Sequence, residues 1–100
     1  MVSVAERILV VDDEPTARRL VRRTLSFEGY RCDEADSAEN ALRKLLEEPT
    51  GLVVLDVRMP GKNGDELLPE IRAKHPDTAV IMVTATVDPD TIVRCMKAGA

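Results

Sequence analysis

The chain has 100 residues, 44% hydrophobic and 32% charged, the balance of one small globular domain with a single core. Its 14 Lys and Arg against 18 Asp and Glu leave a net charge of −4, which gives no global support to direct nucleic-acid binding. No apolar run approaches the roughly 18 residues of a membrane span, no signal-peptide pattern opens the chain, and Cys32 and Cys95 belong to no metal or redox motif, so a reducing, cytoplasmic location is expected.

The first strand is expected over Arg7 to Val11, where Ile8-Leu9-Val10-Val11 is apolar on both faces, as in a buried parallel sheet. Glu14-Pro15 opens a helix, Pro being harmless in a first turn. Ala17, Leu20, Val21, Thr24 and Leu25 form its core-facing stripe. Arg18, Arg19, Arg22 and Arg23 fall outside the stripe as a solvated face, and Gly29 stops the helix near Phe27-Glu28. Tyr30 to Ala35 alternates and carries charge, as an edge strand should. Ser37 caps a second helix with Ala38, Ala41, Leu42, Leu45 and Leu46 inward.

Leu52 to Asp56 reads as a third strand, again apolar throughout until its final carboxylate. The loop from Val57 to Gly64 is dense in turn formers. A third helix is expected over Asp65 to Lys74 with Leu67, Leu68 and Ile71 inward, kinked or starting late because of Pro69. His75-Pro76-Asp77 turns the chain into an all-apolar strand, Ala79 to Val83. Asp88-Pro89 opens a last helix that buries Ile92, Val93 and Met96 and stops at Gly99.

This β-α-β-α-β-α-β-α order, with right-handed crossovers, makes a doubly wound parallel α/β sheet. The fourth strand carries no charge, Pro or bulge residue to protect a free edge. A further strand and helix, or a second chain, are expected to cover it, so residues 1–100 read as one domain incomplete at its C-terminal end.

If the first and third strands are neighbours, Asp12, Asp13 and Asp56 meet at the C-terminal edge of the sheet, where open α/β sheets place ligands. Three carboxylates packed together raise one another's pKa unless a cation sits among them. All-oxygen ligands with room for water suit Mg2+ better than zinc or copper. A carboxylate there can act as a nucleophile toward phosphorus, with a hydroxyl such as that of Thr84 beside it.

Taken together, ILVVDDEP (Ile8 to Pro15), LVVLDVRMPGKNG (Leu52 to Gly64), VIMVTA (Val80 to Ala85) and KAGA (Lys97 to Ala100) resemble the receiver domain of two-component response regulators over essentially the whole chain. The resemblance implies a flavodoxin-like, CheY-like fold with strand order 2-1-3-4 here, from the family order 2-1-3-4-5 that doubly wound folds of this kind share. It implies that Asp56 is the phosphoacceptor, taking a phosphoryl group from a phosphohistidine on a sensor histidine kinase or histidine phosphotransfer protein. Asp13, Asp56 and the backbone carbonyl of Arg58 would ligate Mg2+, with Asp12 acting mainly through water. Thr84 would be the switch hydroxyl and Ala85 a backbone contact to the phosphoryl group. Partners of this family use the first helix, which gives the arginine cluster a docking role beside its bland one. The family's lysine and aromatic switch residue on a fifth strand would lie beyond Ala100, so weak switching is expected.

Other classes fit less well. A haloacid-dehalogenase-type phosphohydrolase wants two aspartates separated by one residue, whereas Asp12 and Asp13 are adjacent. A flavodoxin wants a Ser/Thr-rich phosphate loop where Glu14-Pro15 stands. A conventional enzyme is therefore not expected, beyond catalysis of its own phosphorylation and dephosphorylation. The runner-up is a truncated, non-switching receiver that oligomerises through its fourth-strand edge.

Overall fold

The computed structural model describes residues 7–57, 59 and 61–83. The expected last helix and the positions of Arg58, Thr84, Ala85, Cys95 and Met96 lie outside the described residues.

Seven elements alternate along the chain: β1 (Arg7–Val11), α1 (Pro15–Phe27), β2 (Arg31–Ala35), α2 (Ala38–Glu47), β3 (Leu52–Asp56), α3 (Gly64–Lys74) and β4 (Ala79–Val83). All strand pairings are parallel, and the order across the sheet is β2-β1-β3-β4. That is the order the sequence reading expects, with charged β2 at one edge and β4 outermost at the other among the described residues.

Successive strand residues point to opposite faces, and each face has its own cover. Leu9, Val11, Val53 and Leu55 pack with Ala38, Ala41 and Leu45 of α2 and Leu67 and Ile71 of α3. Ile8, Val10, Leu52 and Val54 pack with Leu25 of α1, flanked by Val21, Tyr30 and Cys32. Burial on both sides explains why the two central strands are continuous apolar runs rather than alternating ones.

The helical stripes are narrower than the sequence suggests. Leu20 is 54% exposed and Leu46 is 77% exposed, although both were expected inward. Each follows or precedes an inward residue by one position (Val21 and Leu45), and one position is about 100° around a helix. With only a flat sheet beneath, that rotation carries the side chain out to solvent.

Helix α3 is a second correction. It begins at Gly64, one residue earlier than expected, and runs through Pro69 to Lys74. Its first turn is held by the Asn63 N–H donating to Glu66 Oε1 at 3.0 Å and by the Leu67 N–H donating to the Asn63 carbonyl at 3.0 Å. Pro69 and Asp65, four residues back, are both exposed, so the carbonyl that proline leaves without a donor faces water. Fully buried Leu67 and Ile71 anchor the helix on either side of it.

The N-terminal end of the sheet carries a buried charge that the sequence reading did not single out. Arg7 is 4% exposed, and its guanidinium donates to Asp33 Oδ2 at 2.9 Å and to the Lys44 carbonyl at 3.1 Å. It thereby pairs with a carboxylate while capping the C-terminal end of α2.

Candidate functional site

Register brings the acidic residues together. Val11 of β1 is aligned with Leu55 of β3, so the next residues, Asp12 and Asp56, leave the sheet side by side. One carboxylate oxygen from each of Asp12, Asp13 and Asp56 lies within 4.8 Å of the other two. Asp12 and Asp56 are half-buried, while Asp13 is exposed.

The β1–α1 turn is held by polar ties. Asp12 donates its N–H to the Ala35 carbonyl of β2 at 3.1 Å. Its Oδ1 accepts the Glu14 N–H at 2.9 Å, and Glu14 in turn caps α1 by accepting the Thr16 N–H at 3.0 Å. Glu14, and neither aspartate, is therefore the cap of α1. Pro15 occupies the first turn, as expected.

The β3–α3 turn is held differently. The Gly64 N–H donates to the Val57 carbonyl at 2.9 Å, and a Cβ on Gly64 would lie 2.1 Å from the Asp56 carbonyl oxygen. Only glycine allows this approach of the helix to the strand end. Between the two, Met59 is buried and donates its N–H to Asn63 Oδ1 at 3.2 Å. Gly64 looks like any other turn glycine in the sequence, and its steric role was missed for that reason.

Burial pushes the Asp12 carboxyl up to about 6, the Glu14 N–H opposes that, and the neighbouring Asp56 and Asp13 raise it further. A group so placed holds a proton where an isolated aspartate would not. A cation among these oxygens relieves the same repulsion. The donor set is all carboxylate, with no His or Cys, and partly open to water, so these residues fit Mg2+.

The arginine cluster divides in two. Arg18 is largely buried, donating from Nε to Glu34 Oε1 at 2.7 Å and from Nη1 to the Asp12 carbonyl at 2.9 Å. Arg22 pairs with the other oxygen of Glu34. Arg19 and Arg23 are exposed. The expectation of one solvated face thus holds for Arg19 and Arg23 and fails for Arg18 and Arg22, because β2 delivers a carboxylate beneath them. Against a burial cost, those two guanidinium groups hold the Glu34 carboxyl below its usual range.

Residues 8–100 match the family model for the response regulator receiver domain. The chain belongs to that family. The receiver is 43% identical over 93 residues to the transcriptional regulatory protein ResD of Bacillus subtilis, covering 93% of this chain and 38% of ResD. It is 38% identical over 97 residues to the response regulator protein FleR of Pseudomonas aeruginosa, covering 97% of this chain and 20% of FleR. It thus spans well under half the length of either relative. Among solved structures, the response regulator TrrA of Thermotoga maritima, crystallised in complex with Mg2+-BeF, superposes with a TM-score of 0.77 at 48% identity, covering 80% of this chain and 70% of that one. TrrA has also been solved in complex with the histidine kinase ThkA. The chemotaxis protein CheY4 of Vibrio cholerae, at 21% identity, shares the fold with a TM-score of 0.86 over 98% of this chain and 100% of that one. Among the described residues of the receiver, no helix is long and apolar enough to cross a membrane.

Proposed function

We propose that this receiver takes a phosphoryl group onto Asp56 from a phosphohistidine of a sensor histidine kinase or phosphotransfer protein, and in that form regulates an output. The observation that carries this reading is the meeting of Asp56 with Asp12 and Asp13 at the C-terminal edge of the sheet. An Asp56 carboxylate oxygen forms the new bond to phosphorus as the phosphorus–nitrogen bond of the phosphohistidine breaks, and the electron pair stays with the leaving imidazole. Asp13, Asp56 and the Arg58 carbonyl hold Mg2+ in this reading, with Asp12 acting mainly through water. When bound, the ion neutralises charge on the transferring phosphoryl oxygens.

Asp12 and Asp13 orient the site from the β1 side, and Gly64 lets α3 seat against the backbone of Asp56. We assign Thr84 the switch hydroxyl and Ala85 a backbone contact to the phosphoryl group. Phosphorylation shifts the population toward the active state only through contacts made in that state and not in the other. The outer face of α1, where Arg19, Leu20, Arg23 and Phe27 are exposed, is our choice for the kinase contact. The TrrA–ThkA complex supports a kinase as the partner. The chain would work in the cytoplasm.

Intact mass after incubation with acetyl phosphate, with and without Mg2+, tests the reading. A phosphoryl adduct that needs Mg2+ and disappears in Asp56→Asn is expected. An adduct that survives that substitution would move the acceptor elsewhere.

A further inference from the structure

Among the described residues, Arg18 is a cation that reaches the backbone of the acidic cluster. It starts on α1 and reaches across to β2, where Nε meets Glu34 Oε1 at 2.7 Å. The other arm of the same guanidinium, Nη1, meets the Asp12 carbonyl at 2.9 Å. The Asp12 backbone is thus held at both its N–H and its carbonyl. Its N–H goes to the Ala35 carbonyl, the strand residue next to Glu34, and its carbonyl goes to Arg18. That carbonyl belongs to the peptide bond joining Asp12 to Asp13.

We propose that Arg18 is a positioning residue for the acidic cluster, fixing the Asp12–Asp13 peptide so that both carboxylates face Asp56. The proposal rests on the reading of Asp12, Asp13 and Asp56 as a Mg2+ site. Arginine suits the task because its planar fork presents two donors in fixed directions, one for each acceptor. Lysine has one nitrogen and cannot hold both in the same way. Glu34 aims the fork, and Arg22, on the other oxygen of Glu34, keeps that carboxylate in place from the outer side. The two arginines share Glu34 as a partner, but it is Arg18 that extends its second arm to the Asp12 carbonyl.

Calorimetric titration of the full chain with MgCl2 tests the idea. Groups that orient metal ligands typically change affinity by 10- to 100-fold when removed, so Arg18→Gln should weaken Mg2+ binding about tenfold. Arg18→Lys should recover part of that loss. Arg22→Gln removes a comparable ion pair but leaves the Arg18 fork bonded to both its acceptors, so it should weaken binding clearly less than Arg18→Gln, although it lowers the melting temperature. Glu34→Gln, which frees the fork, should weaken binding and carries the test if Arg18→Gln does not fold by circular dichroism. Wild-type affinity in the variant that carries the test, or an equal loss in Arg22→Gln, overturns the positioning role alone. A wild-type chain that takes up no Mg2+ overturns the metal site and this role together.

Discussion

The two turns that deliver the acidic residues differ in one respect, a steric seat that the second has in addition to its hydrogen bonds. The β1–α1 turn is tied by hydrogen bonds, with Asp12 held by the Glu14 N–H, the Ala35 carbonyl and the Arg18 guanidinium. The β3–α3 turn adds a steric seat to its polar ties, with Gly64 set against the Asp56 backbone and bonded to the Val57 carbonyl. Polar ties depend on charge state and can be loosened by pH or salt. A steric seat does not titrate, and it fails only when atoms are added. The nucleophile proposed here thus sits beside the steric seat, and the turn with the titratable ties carries its acidic neighbours.

The largest effect expected from breaking this contrast is at Gly64. Gly64→Ala puts a methyl group into the Asp56 carbonyl, forcing α3 off the strand end, and should cost about 1–3 kcal/mol by urea denaturation. Because the displaced backbone belongs to Asp56, labelling by acetyl phosphate should fall as well. A variant with wild-type stability and labelling would show that the seat is dispensable.

Next in size is the pH response of the polar turn. The folded chain raises the Asp12 carboxyl from 3.8 to about 6, so between those values the folded state binds more proton than the unfolded one. Stability from this group is full below its unfolded value and is lost as pH rises through about 6. In chelator, thermal melts should therefore show a loss between about pH 4.5 and 6.5 that Asp12→Asn removes. Mg2+, taking the place of the proton, should restore the loss at pH 7. A melting temperature in chelator that rises across this window with no contribution from Asp12 would contradict the account.

The smallest stability effect is expected on α1, which repeats the contrast within one helix. Arg18 and Arg22 are engaged with Glu34, whereas Arg19 and Arg23 face solvent. Charge reversal at Arg19 and Arg23 should change stability by less than about 0.5 kcal/mol and leave labelling by acetyl phosphate intact. Transfer from a phosphohistidine protein should slow. Equal effects on both donors would remove the outer face of α1 from the docking role.

Much of this was legible in the chain itself. An apolar run that stops at a carboxylate places that carboxylate at a strand end, because an unpaired charge is costly inside a doubly covered sheet. Ile8 to Asp13 and Leu52 to Asp56 therefore announced both strands and the acidic edge, and Ser37 marked its helix by capping chemistry. Charge on β2 likewise announced an edge strand. These signals are local, since each depends on neighbours within a few residues.

What only the tertiary structure decided are the relations between distant residues. Periodicity put Arg18 and Arg22 outside the apolar stripe, but it could not tell that Glu34, on a separate strand, would lie beneath them. Nor could it show that Arg7 would be buried against Asp33 and the end of α2, or that Leu20 and Leu46 would miss the sheet. Gly64 has the same explanation, because its need for glycine comes from the Asp56 carbonyl and not from its own turn. Hydrophobic burial selects faces and strand ends residue by residue, whereas close contact and charge pairing depend on which elements the fold brings side by side.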